Sequence, residues 1–184
     1  MRGVIFNGKE YRVKLELYRT KGSKNQKLAQ YISEETKERR RKFYIVERNG
    51  KKYFIKEYTD KEYGGNLGYP TNIEYEFDTT KSLEGDITRR DGVIGAVKAI
   101  GRDKNRIMFE YLDGYRKPHI SELTAIQRLV YEWLKNKDVK AYDLGINNMM
   151  VKTGKKKNGV TQYNVKMIDF EFSADRDPKK EWNV

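Results

Sequence analysis

The chain contains no cysteine and a single histidine, His119. Without cysteine there is no disulfide framework and no thiolate metal site, and one histidine excludes a histidine-based metal cluster or catalytic triad. The chain also lacks an apolar run of membrane-spanning length and a signal-peptide core at its N-terminus. We therefore expect a soluble, cytoplasmic protein with no membrane span.

Positive charge is what the chain has in excess. It carries 39 basic and 27 acidic residues among 184, which gives a formal net charge of +12. Such an excess favours anionic partners, including nucleotides, nucleic acid, phospholipid and acidic proteins. No helix-turn-helix, zinc-finger or RNA-recognition pattern is present. A basic nucleic-acid-binding protein is therefore an alternative that rests on charge alone.

Alternating apolar and polar residues predict antiparallel hairpins in the first part of the chain. One hairpin is predicted over residues 1–18 around Asn7-Gly8, and another over 43–58 around Arg48-Asn49-Gly50. Asn-Gly is the dipeptide most typical of two-residue hairpin turns. Two further strands are predicted over 93–100 and 106–111, so that this part of the chain supplies the material of an antiparallel sheet.

Two helices are predicted from periodicity and end signals. The first begins near Pro70 and ends near Leu83. The second begins at Ser121, which can act as its N-cap, and runs to about Lys137. Apolar residues recur at helical spacing along this second helix, which predicts that one of its faces packs in the core.

The stretch from Ala141 to Phe172 carries the residue types that phosphoryl transfer requires. Such transfer needs metal ions held over phosphates and a carboxylate directed at the attacking hydroxyl. A carboxylate and an amide on one tight loop can converge, and a carboxylate at the end of a neighbouring strand can complete a magnesium site. Asp143, Asn148 and Asp169 fit this layout, with residues 153–162 between them predicted as a hairpin loop. The alternative is that they are two turn formers and a strand-end cap.

These motifs resemble those of the protein-kinase-like superfamily. The pattern D-L-x-x-x-N at 143–148 resembles its catalytic loop, and I-D-F-E at 168–171 resembles its metal-binding motif. The usual His of the loop is Ala141 here, and the usual Gly of the second motif is Glu171, which is similar to sugar, aminoglycoside and lipopolysaccharide-core kinases. The resemblance implies an α+β, two-lobed fold. Residues 1–112 would form an antiparallel N-lobe sheet with one helix, and 113–184 a truncated helical C-lobe.

The resemblance also implies a role for each matching residue. Asp143 would orient the acceptor hydroxyl and take its proton, while Asn148 and Asp169 would hold Mg²⁺. Lys56, on the return strand of the second hairpin, would steady the phosphates of ATP. A helix glutamate would pair with Lys56. We favour Glu76 for this pairing, and periodicity leaves Glu74 open.

The remaining implied contacts are with the nucleotide. Glu110-Tyr111-Leu112 resembles a hinge whose backbone would bind the adenine edge. Gly22 and Ser23 lie where a nucleotide-covering loop would be, and a solvated turn is the other interpretation. Lys152 and the lysines at 155–157 attract an anionic acceptor or form a solvated hairpin tip.

The implied function is an ATP- and Mg²⁺-dependent phosphotransferase of the atypical, minimal kinase type. Protein Ser/Thr, sugar and nucleoside hydroxyls are all candidate acceptors. Because only residues 173–184 follow Phe172 in this sequence, a protein partner that completes the C-lobe is also expected. A pseudokinase-type nucleotide-binding regulatory module is the alternative on the same fold.

Overall fold

A computed structural model describes residues 2–18, 42–58, 73–137 and 148–168 of the chain. Within these ranges the fold is α+β. In chain order the elements are β1 (Gly3–Phe6), β2 (Lys9–Tyr18), β3 (Lys42–Arg48), β4 (Lys51–Glu57), α1 (Ile73–Ser82), β5 (Ile87–Arg89), β6 (Gly92–Ala96), β7 (Ala99–Asp103), β8 (Arg106–Glu110), a 3₁₀ turn (Ile120–Glu122), α2 (Leu123–Lys137), β9 (Met149–Lys157) and β10 (Val160–Met167). Two compact units share these elements. One comprises 1–77 and 99–111, and the other comprises 78–98 and 112–184.

The first unit is built on a six-stranded sheet of order β1-β2-β3-β4-β8-β7. Every neighbouring pair in it is antiparallel, as the alternation in the sequence predicts. The sheet curls so that its opposite edges approach each other. The Asn7 side-chain amide donates to the Arg102 carbonyl at 3.1 Å, and the Arg106 guanidinium donates to the Ile5 carbonyl at 2.8 Å.

Aromatic and branched apolar side chains form the core of this curled sheet. Its buried members are Val4, Phe6, Tyr11, Tyr44, Val46, Ile55 and Met108, with Val13 and Tyr53 packed against them. The Tyr11 ring meets Phe6 and Tyr53 edge-on, which is the arrangement that aromatic quadrupoles prefer. Because the strands present these residues at every second position, one face of each strand is enough to supply the cluster.

Three hairpins turn through Asn-Gly dipeptides. In Asn7-Gly8, Asn49-Gly50 and Asn158-Gly159 both residues have positive φ, between 47° and 76°. This is the signature of the type I′ turn, whose twist matches that of the strands it joins. The first two hairpins confirm the sequence prediction. The third corrects it, because residues 153–162 are mostly paired strand rather than a loop.

The second unit contains a four-stranded sheet of order β5-β6-β10-β9. Strands β6 and β10 run parallel, with Val165 opposite Ile94, and the other two pairings are antiparallel. Helix α2 contributes the stripe predicted from its periodicity to this unit's core. The buried members of that core are Leu83, Ile94, Ala96, Ile126, Leu129, Val130, Trp133, Met149, Val151, Val165 and Met167.

The predicted strand over 93–100 is wrong in its extent. Strand β6 ends at Ala96 and β7 begins at Ala99, and the two lie in different sheets. The Val97 amide still donates to the Met167 carbonyl at 2.8 Å, so the chain follows β10 up to that residue. The break depends on pairing with a strand some 70 residues away along the chain, which a local apolar run cannot indicate.

The start of the second helix also differs from the prediction. Ser121 lies inside the 3₁₀ turn, and His119 occupies the N-cap position. The His119 backbone N–H donates to Glu122 Oε2 at 2.8 Å, so a carboxylate three residues later satisfies an otherwise unpaired donor. No helix in the described part of the chain has the length and apolar character needed to cross a bilayer.

Candidate functional site

Lys56 is a charged side chain on a strand whose neighbours are apolar. On β4 it lies opposite Phe43 of β3 and Ile107 of β8. Its exposure is only 4%. Burying an ammonium among apolar side chains is costly unless anions surround it. The position therefore requires a partner for the charge.

Glu76 on helix α1 is that partner. Lys56 Nζ donates to both carboxylate oxygens of Glu76, at 3.1 Å and 3.2 Å. Glu76 itself is 1% exposed, so the pair is removed from water on both sides. The pairing favoured from the sequence is confirmed.

Glu74, the alternative partner, lies elsewhere. Its carboxylate pairs with the Arg102 guanidinium at 2.9 Å, and its side chain is 59% exposed. The guanidinium also lies over the Phe77 ring, 6.0 Å from its centre. Glu74 and Glu76 are two positions apart on one helix, so they point in different directions. This separation assigns Glu76 to Lys56 and Glu74 to the exposed pair.

Tyr58 is a third member of this site, and it was not among the residues predicted from the sequence. Its buried hydroxyl donates to Glu76 Oε2, and Lys56 Nζ lies 5.3 Å from the centre of its ring. Tyr58 follows Lys56 by two positions, so strand alternation places both on one side of the chain. This two-residue separation from Lys56 is the feature of the sequence that could have indicated Tyr58. We name Lys56, Tyr58 and Glu76 the buried triad.

The turn between β7 and β8 fixes the backbone of Tyr58. The Tyr58 N–H donates to the Asn105 carbonyl at 2.8 Å, and the Asn105 side-chain amide donates to the Tyr58 carbonyl at 3.0 Å. Both backbone polar groups of Tyr58 are thereby satisfied. The triad is held by a strand, a helix and a turn of the first unit, so its geometry is set before any ligand binds.

The residues of the predicted hinge have different surroundings. Glu110 ends β8 opposite Tyr53 and is half-buried. The carbonyl of Leu112 accepts the Tyr115 N–H at 3.3 Å. Between them, the ring of Tyr111 lies under Lys52 Nζ, at 5.4 Å. These groups are ordered by the protein itself, and their contact with adenine stays a prediction.

The β9–β10 hairpin brings Asn148 beside the end of the second motif. The Ile168 backbone N–H donates to the Asn148 carbonyl at 2.8 Å. Asn148 therefore lies across the hairpin from the residue that precedes Asp169. Asp143 and Asp169 lie outside the described residues, as do Gly22 and Ser23. The metal-binding role of Asn148 and the predicted roles of Asp143 and Asp169 all stay predictions.

The described residues contain no cluster of three His, Cys, Asp or Glu side chains suited to a metal ion. The magnesium site predicted from the sequence consists of Asn148 and Asp169, and Asp169 lies outside those ranges. Its residues fit by type only: carboxylate and amide oxygens are the ligands that Mg²⁺ prefers. Comparison of the chain with protein-family models, with curated proteins and with solved structures finds no match.

Proposed function

We propose that this protein is an ATP- and Mg²⁺-dependent phosphotransferase of the minimal kinase type, with a two-lobed, protein-kinase-like fold. The observation that carries the proposal is the buried pair of Lys56 and Glu76. A strand lysine held by a helix glutamate is what the resemblance requires, and the pair joins two elements 20 residues apart in sequence. The curled antiparallel sheet and the β9–β10 hairpin also support it.

The buried pair needs an explanation other than stability. Desolvating two charges usually costs as much as their attraction returns, and apolar replacements of such pairs are often neutral or stabilising. A buried ion pair is therefore weak evidence for a structural role. Buried charges in specific pairs are common at functional sites, and Lys56 is suited to meeting phosphate oxygens as a point charge.

The proposed roles follow from the chemistry of each group. Lys56, oriented by Glu76, binds phosphate oxygens, and Asp143 orients the acceptor hydroxyl and accepts its proton. Asn148 and Asp169 would hold the metal. When bound, ATP with Mg²⁺ supplies the γ-phosphoryl group and neutralises charge on the phosphate oxygens. The acceptor is a hydroxyl of a protein or a small molecule.

Labelling with radioactive ATP and Mg²⁺ tests this function. Wild-type protein is expected to label itself or a generic acceptor, and Asp143→Ala and Asp169→Ala are expected to lose at least about 100-fold in rate, as variants of catalytic groups commonly do. Equal labelling of wild type and both variants contradicts the proposed phosphotransferase activity. A nucleotide-dependent rise in melting temperature without labelling assigns the chain instead to nucleotide-binding regulatory modules.

The double variant Lys56→Met/Glu76→Met tests the buried pair without leaving an unpaired buried charge. Because apolar replacement of such a pair is often tolerated, this variant is expected to fold and to lose nucleotide-dependent labelling. Lys51→Met is the matched control, since Lys51 is an exposed lysine on the same strand. A folded double variant that labels at the rate of Lys51→Met contradicts the role of Lys56.

A further inference from the structure

The outer half of the β9–β10 hairpin is exposed to solvent. On β9 only Met149 and Val151 are buried, and every residue from 152 to 159 is exposed. We name residues 154–161, which include the Asn158-Gly159 turn, the lysine arm. The arm reads Gly-Lys-Lys-Lys-Asn-Gly-Val-Thr. Its side chains contribute little to the core of the second unit.

The hairpin is anchored just below the arm. The Arg116 guanidinium donates to Thr153 Oγ1 at 3.0 Å, and the Gln162 side-chain amide donates to the Arg90 carbonyl at 2.9 Å. Among the described residues, no hydrogen bond joins 154–161 to any element outside the hairpin. Beyond these two anchors the arm extends as a free two-stranded ribbon.

The arm has a defined shape although it is exposed. Lys157 pairs with Val160 and Lys156 with Thr161 across the ribbon. Both turn residues have positive φ, so the type I′ turn sets the register. A register shift opposite Gln162 marks a bulge at the base. Because the backbone is paired from Lys156 to the turn, Lys156 and Lys157 are held at strand spacing rather than distributed on a loose loop.

The charge of the hairpin is of one sign. From Met149 to Ile168 there are five lysines and no acidic residue. Lys166 pairs with Asp86 at 2.7 Å, and Lys152 donates to the Asp113 carbonyl at 3.3 Å. Lys155, Lys156 and Lys157 make no ion pair within the described parts of the chain. Adjacent like charges repel, so an anionic partner gains by binding there.

We propose that the lysine arm docks on the phosphate backbone of double-stranded nucleic acid. The DNA major groove, about 12 Å wide, admits a two-stranded β-ribbon. One strand rise of about 3.3 Å separates Lys156 from Lys157 along the ribbon, which is close to one axial step of about 3.4 Å along one nucleic-acid strand. This surface is independent of the proposed phosphotransferase activity.

The composition of the arm discriminates between anionic partners. Single-strand binders stack bases on aromatic side chains, and the arm has none. Membrane-surface segments insert large apolar side chains, and Val160 is the only apolar side chain here. What the arm offers is point charges on a narrow ribbon, which suits a duplex backbone that carries a charge every 1.7 Å or so of its axis.

Fluorescence anisotropy with a labelled 20-base-pair duplex, roughly two helical turns, tests the proposal across a NaCl series. Each phosphate contact contributes about 0.9 to the slope of log K against log salt. The triple variant Lys155→Gln/Lys156→Gln/Lys157→Gln is expected to reduce the magnitude of this negative slope by about 2 to 3. It is also expected to weaken duplex binding at least about 10-fold. The matched control is Lys9→Gln/Lys104→Gln/Lys135→Gln, which removes the same charge from other exposed sites.

Several results of this experiment would contradict duplex binding by the lysine arm. Equal losses in the two triple variants, or wild-type binding by the arm variant, overturn the proposal. So does arm-dependent binding that is tighter to a single strand, to poly-glutamate or to phosphatidylserine vesicles than to the duplex. Lys→Arg replacement of all three arm lysines keeps the charge and is expected to restore duplex binding and the salt slope. If it binds as weakly as the Gln variant, the charge-based account is wrong.

Discussion

At the scale of single residues, the hydroxyl of Tyr58 is the least obvious member of the buried triad. It donates to a carboxylate that also accepts from Lys56. The oxygen Oε2 of Glu76 also accepts from Lys56, at 3.2 Å, so the Tyr58 hydroxyl adds a second hydrogen bond to a charged acceptor. Tyr58 therefore acts on the lysine through Glu76, as a positioning residue.

Tyr58→Phe removes this hydroxyl and keeps the ring under Lys56. We expect the free energy of unfolding to fall by about 1.5 to 3 kcal/mol, the usual contribution of one hydrogen bond to a charged group. If the proposed function holds, KM for ATP rises more than kcat falls. Urea denaturation and steady-state kinetics measure the two effects. The control is Tyr131→Phe, because Tyr131 is 65% exposed. Equal stability of the two variants contradicts the prediction.

Glu122 is a second residue whose charge is fixed by the fold. The largest cause of a lowered pKa at Glu122 is hydrogen bonding from the Arg116 guanidinium, at 2.7 Å and 2.8 Å. The hydrogen bond from the His119 N–H lowers the pKa further. Together they lower the pKa of Glu122 from 4.5 to about 2, against a smaller opposing effect of burial. Hydrogen bonds to the charged form of a carboxylate stabilise that form.

This shift predicts a pH dependence of stability. Because the pKa is lower in the folded state, the contribution of Glu122 is present in full above pH 4.5 and is lost as the pH falls toward 2. We expect a contribution of about 1 to 3 kcal/mol. Urea denaturation of wild type and Glu122→Gln across this range isolates it, since other carboxylates titrate in both. Parallel pH profiles of the two proteins would falsify the assignment.

At the scale of elements, the parallel pairing of β6 and β10 depends on Gly92. Its φ is +141°, and a Cβ there would meet the Tyr163 carbonyl oxygen at 1.9 Å and the Tyr163 nitrogen at 2.6 Å. Both obstructing atoms are backbone, so neither can rotate away. The start of the parallel pair therefore excludes every side chain.

Gly92→Ala is expected to destabilise the protein by at least about 3 kcal/mol, because steric strain and disruption of the sheet add to each other. The control is Gly50→Ala. Gly50 has φ +72°, and a Cβ added there would have no other atom within 4 Å, so only the left-handed conformation is penalised, by about 1 to 2 kcal/mol. Equilibrium denaturation compares them. If the two variants lose the same stability, the contact with Tyr163 carries no extra cost.

Elements that depend on local chemistry were predictable from the sequence. Asn7-Gly8 and Asn49-Gly50 indicate their hairpins, and the apolar stripe of α2 indicates its buried face. Asn158-Gly159 has the same turn chemistry, but its flanking lysines hide the strand alternation. The break after Ala96 had no local signal, because it is decided by long-range pairing. Strand β5 was also missed, because its three residues are too few to show an alternating pattern.

In the candidate site, too, features set by local sequence were predictable and features set by long-range contacts were not. The pairing of Lys56 with a helix glutamate followed from motifs, and the choice between Glu74 and Glu76 required the direction in which each side chain leaves the helix. Tyr58 could have been found by alternation alone. Its hydrogen bond to Glu76 could not, because nothing in the order of residues fixes the distance between a strand and a helix.

At the scale of the whole molecule, the net charge of +12 opposes compactness. Like charges repel at low ionic strength, and salt screens them. Exposed ion pairs such as Arg102–Glu74 weaken with salt, but each contributes only about 0 to 1 kcal/mol. With 39 basic residues against 27 acidic ones, repulsion is the larger effect.

We therefore expect the melting temperature to rise by about 2 to 5 °C between about 10 mM and about 150 mM NaCl. Lys9→Gln/Lys104→Gln/Lys135→Gln lowers the charge from +12 to +9 and is expected to show a smaller rise. Differential scanning calorimetry measures both. A melting temperature that falls with salt in the wild type shows that ion pairing outweighs repulsion.

The division into two compact units, in a protein with no cysteine, makes it well suited to spectroscopy. A thiol introduced at the exposed Lys51 labels the first unit, and one at the exposed Lys135 labels the second. Every attached probe then reports from a known position, with no native thiol to block. Paired spin labels or dyes turn the separation of the units into a measured distance, which can be followed while nucleotide, metal or duplex is added.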